Sequence, residues 1–144
     1  MSEPIKLVAF CGSLRKASFN RLALNAFVER LPAGVTAQTI EIDWPLYNAD
    51  IQAQGFPAPV QAAQKAMLEA DGIVLVSPEY NYGPSGVLKN AIDWLSRMTP
   101  QPFAAKPIAM FGAAGSCWAR RARSTSCARS WCSSTAVRST SPRS

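Results

Sequence analysis

The chain has 144 residues, the usual length of one domain, and a formal net charge of +6. Residues 1–116 hold nine Lys and Arg against nine Asp and Glu, so the whole excess comes from the six Arg of residues 117–144. The main part of the chain is therefore not expected to bind nucleic acid or an anionic membrane. The chain contains no His, which excludes His-based catalytic triads and most catalytic zinc sites.

The cysteines and the apolar runs exclude two further classes of protein. The spacing of the four cysteines matches no zinc pattern. No apolar run approaches the length of a membrane span, and the first ten residues lack the pattern of a signal peptide. We expect a cytoplasmic protein that binds neither a metal nor a membrane.

Strand and helix patterns alternate along the chain. Apolar or alternating runs rich in β-branched residues predict four strands, at residues 5–11, 35–42, 72–77 and 106–112. Helical spacing predicts three helices, within residues 18–31, 60–70 and 86–97. Ser18 is the expected N-cap of the first helix. A segment containing Pro45, Pro57 and Pro59 is predicted to be a loop.

This alternation predicts an α/β fold, a doubly wound parallel sheet with helices on both faces in three layers. Ligands of such sheets bind beyond the carboxyl ends of the strands, where the strand order reverses. The polar loops 12–20 and 78–85 both leave strands at those ends. If the strand order is 2-1-3-4, the two loops face each other across one crevice.

The first loop, GSLRKASFN at residues 12–20, has the groups that bind an anion. Gly12 permits a sharp turn. Ser13 and Ser18 offer hydroxyls, Asn20 an amide and Arg15 a guanidinium, all near the start of a helix. A capped turn with a solvated Arg is the alternative. Neither G-x-G-x-x-G nor G-K-[ST] is present, so a monophosphate suits the loop better than a pyrophosphate.

The second loop, PEYNYGPSG at residues 78–86, carries two Tyr and an Asn directly after a buried strand. Aromatic faces with amide donors suit a flat heteroaromatic ring. The alternative is a Pro-rich turn whose tyrosines pack half-buried. Glu79 taken alone is more often a solvated or capping carboxylate than a catalytic acid.

These segments carry a resemblance to a known family. GSLRKASFNRLA, PEYNYGPSGVLKNAIDWLSR and FGAAGS resemble the signature segments of the NAD(P)H-dependent FMN reductases, and above all their chromate and quinone reductase branch. The resemblance covers residues 4–116. It implies a flavodoxin-like fold, noncovalent FMN, NAD(P)H as co-substrate, and quinones, free flavin, chromate or similar small molecules as acceptors. It also implies a homodimer or homotetramer.

Matching positions assign the cofactor residues. The resemblance implies that the FMN phosphate is held by Ser13, Arg15, Ser18 and Asn20. It implies that the isoalloxazine is lined by Pro78, Glu79, Tyr80, Asn81 and Tyr82, and that Gly115 and Ser116 approach its pyrimidine edge. No protein group is expected to act as a nucleophile, because the chemistry belongs to the flavin.

The sequence is also compatible with two other functions. A flavodoxin-like electron carrier, or a flavin-binding protein without NAD(P)H turnover, would use the same fold. Flavodoxins proper are strongly acidic, whereas residues 1–116 are neutral, which disfavours a carrier. A nucleic-acid binder with a basic tail rests entirely on residues 117–144.

The last segment, residues 117–144, has eight Ser, six Arg and no Asp, Glu, Leu, Ile or Phe. Such a composition cannot bury enough apolar surface to order itself. Chains of the family continue here with a helix, a fifth strand and a final helix. We therefore predict a flavodoxin-like domain over residues 1–116 and a frameshift near residue 116. A genuine basic tail is the alternative.

Overall fold

The computed structural model describes residues 3–113. Gly115, Ser116 and the whole of segment 117–144, with the frameshift predicted there, lie outside the described residues. The strands are β1 (Ile5–Cys11), β2 (Val35–Ile40), β3 (Gly72–Val76), β4 (Glu79–Tyr80), β5 (Gly83–Pro84) and β6 (Ile108–Phe111). The helices are α1 (Phe19–Glu29), α2 (Ala49–Gln54), α3 (Ala58–Glu69) and α4 (Gly86–Leu95).

Four parallel strands form the main sheet in the order β2-β1-β3-β6. This is the predicted order 2-1-3-4, which is thereby confirmed. Cys11 is in register with Val76, and Val76 is in register with Phe111. The carboxyl ends of β1, β3 and β6 therefore lie in one row, and the three loops that follow them begin at the same level.

Alternating side chains of the central strands supply two cores, one on each face of the sheet. Phe10 and Leu75 point into the larger core, which also contains residues of α3 and α4. Ala9 and Val76 point to the opposite face, where Leu24 of α1 packs against them. The sheet is thus covered on both faces by helices, as the apolar runs of its central strands predict.

The segment between β2 and α3 differs from its prediction as one continuous loop. The helix α2 lies within it and begins after Asn48, whose side-chain oxygen accepts a hydrogen bond from the Asp50 N–H (2.8 Å). No residue of α2 is buried, so its sequence has no apolar stripe that would predict a helix. The strand β2 also ends two residues earlier than predicted, at Ile40.

Asn90 of α4 fixes the chain that follows β2. Its Oδ1 accepts a hydrogen bond from the Tyr47 N–H (2.8 Å), and its Nδ2 donates to the Pro45 carbonyl (3.0 Å) and the Trp44 carbonyl (3.3 Å). A buried amide with both ends bonded holds this irregular backbone on the helix. Among the helices of residues 3–113, none is long and apolar enough to cross a membrane.

Candidate functional site: three loops at the carboxyl edge of the sheet

The loop after β1 ends in the predicted helix cap. Ser18 is 4% exposed, and its Oγ accepts hydrogen bonds from the Asn20 N–H (3.2 Å) and the Arg21 N–H (3.3 Å). The prediction of Ser18 as N-cap of α1 is confirmed. The hydroxyl proton of Ser18 is not used in these two bonds, since the oxygen is the acceptor in both.

The backbone of the same loop is rich in free donors. Within the described part of the chain, no N–H of residues 13–19 donates a hydrogen bond to another protein group. These donors stand at the N-terminus of α1, where the helix dipole also favours a negative charge. The loop therefore offers an anion a set of main-chain donors.

The charged side chains near this loop divide into paired and unpaired cations. Arg21 makes a two-pronged pair with Glu41, with both N–O distances 2.8 Å, and this side-chain hydrogen bonding raises the pKa of Arg21. Arg15 and Lys16 are exposed and make no ion pair with any residue between 3 and 113. Residues 12–20 contain no carboxylate. The loop is positive and its charge is not neutralised locally.

Asn20 connects the first loop to the third. Its Nδ2 donates to the Ala113 carbonyl (3.0 Å), and its Oδ1 accepts from the Ala113 N–H (2.9 Å). The Asn20 side chain is buried and Ala113 is partly buried, so the two bonds form a clamp between the loops. One amide hydrogen of Nδ2 remains for a ligand. Asn20 thus fixes the loop after β6 beside the loop after β1.

The loop after β3 folds into a small hairpin that its sequence does not predict. Strands β4 and β5 pair antiparallel, Glu79 with Pro84 and Tyr80 with Gly83. The two turn residues, Asn81 and Tyr82, have φ of 52° and 62°. Positive φ at both positions is typical of a type I′ turn, which suits Asn but is unusual for a bulky Tyr.

The tyrosines of this hairpin are exposed. Tyr80 is 59% and Tyr82 75% exposed, so neither is the half-buried packing residue of the alternative interpretation. Tyr82 also has a positive φ, a conformation that costs free energy for a bulky side chain. Their exposure leaves both rings accessible to a ligand.

The three loops meet at close range around two glycines. A Cβ added to Gly12 would lie 2.8 Å from the Oγ atoms of both Ser77 and Ser85. A Cβ added to Gly112 would lie 2.1 Å from the Ser77 carbonyl oxygen. The chain bends at Gly12, as its sequence suggests, without a positive φ at this residue. Gly112 allows backbone to approach backbone, and Gly12 makes room for the two serine hydroxyls.

The predicted cofactor residues among residues 3–113 therefore collect at one edge of the sheet, on loops that contact one another. Sequence reasoning missed the groups beneath them, which are Ser77, Ser85, Gly112 and Ala113. A cavity of about 210 Å³ lies beside Leu14, Trp44 and Val87, and none of the predicted cofactor residues lines it.

A flavodoxin-like sheet with a positive loop after its first strand defines a class of nucleotide-binding α/β proteins. The sequence profile described as NADPH-dependent FMN reductase matches residues 5–137. The chain belongs to this family.

Curated relatives with similar sequences carry names of the same kind. A quinone reductase of Escherichia coli strain K12 is 48% identical over 111 residues, which cover 75% of this chain and 59% of the relative. An NAD(P)H-dependent FMN reductase of Pseudomonas aeruginosa is 45% identical over 114 residues, which cover 78% of this chain and 62% of the relative. The chain thus spans about three fifths of the length of these relatives.

A solved structure has the same fold. FerB, a flavoenzyme NAD(P)H:(acceptor) oxidoreductase from Paracoccus denitrificans, superimposes with a TM-score of 0.73 at 28% sequence identity, over 81% of this chain and 65% of FerB.

Proposed function

We propose that this chain carries the FMN-binding part of an NAD(P)H-dependent oxidoreductase that reduces quinones, free flavin, chromate or similar small acceptors. The observation that carries the proposal is the loop of residues 13–19, whose main-chain N–H groups and cations have no hydrogen-bond or ion-pair partner within residues 3–113. The named activities of the E. coli and P. aeruginosa relatives support it.

The donor set of the first loop fits a phosphate monoester. Ser13 and Ser18 have hydroxyl protons to donate, Arg15 supplies a planar charged fork, and Asn20 keeps one amide hydrogen. The free N–H groups at the start of α1 add donors that need no side chain. In this proposal the chain binds the phosphate mainly through its backbone, and Arg15 supplies the charge.

The hairpin residues 78–82 bind the ring in this proposal. Exposed Tyr80 and Tyr82 offer aromatic faces, while Asn81 and the backbone at Pro78 and Glu79 offer polar groups for a ring edge. When bound, FMN would accept a hydride from NAD(P)H and pass its electrons to the acceptor. The chain's own residues orient the two substrates and leave one side of the crevice open for them.

Arg15→Ala should weaken FMN binding by about 1 to 3 kcal/mol, the scale of a lost hydrogen bond to a charged group. Lys16→Ala is the matched control, because it removes an equal charge from the adjacent residue but no planar guanidinium. Its loss of FMN affinity should be smaller. Titration of the apoprotein by flavin fluorescence measures both. If Arg15→Ala bound FMN as tightly as the unaltered chain, the phosphate assignment would be wrong.

Tyr80→Ala should loosen FMN, since it removes an exposed aromatic face from the hairpin. Glu79→Gln should keep both flavin content and turnover, because we assign Glu79 a place beside the ring and no proton transfer. For both variants, the flavin content of the purified protein measures FMN retention, and steady-state NAD(P)H oxidation with a quinone measures turnover. A Glu79→Gln chain with full flavin but little turnover would point instead to a catalytic carboxylate.

Assembly and location are part of the same proposal. We infer a homodimer or homotetramer from the resemblance of the chain to its family, and the cytoplasmic location remains a prediction from the sequence. The electron-carrier alternative differs in one measurable respect, since a carrier would bind FMN without oxidising NAD(P)H in steady state. Rapid NAD(P)H oxidation with quinone or ferricyanide would exclude it.

A further inference from the structure

Two buried serines join the ends of the hairpin. Ser77 directly follows β3 and is 8% exposed, and Ser85 precedes α4 and is 2% exposed. The Ser77 Oγ accepts a hydrogen bond from the Ser85 N–H (3.1 Å) and donates to the Pro78 carbonyl (2.9 Å). One hydroxyl thus closes a loop of seven intervening residues.

Ser85 has a different function in the same pair. Its Oγ accepts from the Leu88 N–H (3.3 Å), which caps α4, and lies 3.4 Å from the Ser77 Oγ. Removal of the Ser85 hydroxyl would leave the bond from its N–H to Ser77 intact. The two hydroxyls can therefore be tested separately, one for closure of the hairpin and the other for the helix cap.

The hairpin needs an anchor at its base. Its ladder has only two residue pairs, and a two-stranded hairpin of this length is not stable alone. The positive φ of Asn81 and Tyr82 persists only if the surrounding structure holds it. Ser77 also contacts both neighbouring loops through Gly12 and Gly112, so its position relative to them is fixed.

We propose that Ser77 is a positioning residue, which holds the hairpin in register with the first loop and so sets where residues 79–82 meet the flavin ring. This inference rests on the proposed function for its flavin part. Ser77 acts through the hairpin and touches no ligand. Its removal should disturb the ring end of the site and leave the phosphate end unchanged.

The test compares Ser77→Ala with Ser85→Ala in the full chain. In the apoprotein, hydrogen exchange of the amides of residues 79–83 should be about tenfold faster in Ser77→Ala, the equivalent of one lost hydrogen bond, and unchanged in Ser85→Ala. With FMN bound, Ser77→Ala should change the visible circular dichroism of the flavin. Affinity for inorganic phosphate should stay the same in both variants.

Equal exchange of residues 79–83 in Ser77→Ala and the unaltered chain would overturn the inference. Equal acceleration in both variants would overturn it as well, because the effect would then be a general loss of stability. If the unaltered chain bound no FMN, the proposed function and the flavin part of the inference would both fail, while the exchange comparison would still decide whether Ser77 anchors the hairpin.

Discussion

Gly112→Ala should strongly destabilise the fold. The new Cβ would lie 2.1 Å from the Ser77 carbonyl oxygen, a backbone atom that cannot rotate away. Because this carbonyl belongs to the loop directly after β3, relief requires separation of β3 from β6 at their carboxyl ends. Overpacking typically costs about 1 to 3 kcal/mol even where side chains can adjust, and here the clash is between backbones. We therefore expect Gly112→Ala to lower the free energy of unfolding by about 3 kcal/mol or more.

The matched control is Gly86→Ala. Nothing lies within 4 Å of a Cβ at this position, and Gly86 is the first residue of α4. Alanine favours a helix over glycine by up to about 1 kcal/mol, so this variant should be neutral or slightly more stable. Urea unfolding followed by circular dichroism compares the two. Equal midpoints for Gly112→Ala and the unaltered chain would show that the loops tolerate wider spacing than we infer.

Trp94→Ala should cost about 3 to 5 kcal/mol of the free energy of unfolding, the range for removal of a large buried aromatic. Trp94 is 0% exposed and packs edge to face with Tyr47 (5.1 Å between ring centroids) and Phe56 (6.2 Å). Its Nε1 donates to the Pro45 carbonyl at 2.8 Å. The free energy of unfolding of native domains is only about 5 to 15 kcal/mol, so this variant would be marginally stable.

Trp94→Phe separates the packing of the ring from its hydrogen bond. The Pro45 carbonyl also accepts from Asn90, so it keeps a partner when the indole N–H is lost. We therefore expect a cost well below that of Trp94→Ala, measured by the same urea unfolding. Similar losses in the two variants would mean that the hydrogen bond, and not the buried ring, stabilises this region.

The sequence predicts the framework well because burial leaves a strong pattern. The run Gly72–Val76 is buried at every position, and its uniform apolarity marks it as a central strand. Ser18 was recognisable as a cap because its chemical type and its place before a periodic segment agree. The alternation of strands and helices predicts a parallel sheet. The sequence alone offers the order 2-1-3-4 as a hypothesis, and the structure decides it.

Elements without burial could not be predicted in the same way. The helix α2 has no apolar face, and the hairpin turn places Tyr82 where Gly or Asn is usual. The sequence predicts that the amide of Asn20 is one of the groups that bind an anion, but only the fold brings it to Ala113, 93 residues away. Contacts between distant loops depend on register, which composition does not reveal.

The free N–H groups of residues 13–19 have a consequence for how such a sequence can change over evolution. Every amino acid except proline supplies the same main-chain donor, so much of this loop could diverge without loss of the proposed anion site. An alanine scan would then detect only the side chains that contribute, such as Arg15, Ser18 and Asn20, and would undercount the groups that bind. Proline, which removes the donor itself, is the substitution to which such a loop is intolerant, and a proline scan would reveal the full extent of the cradle.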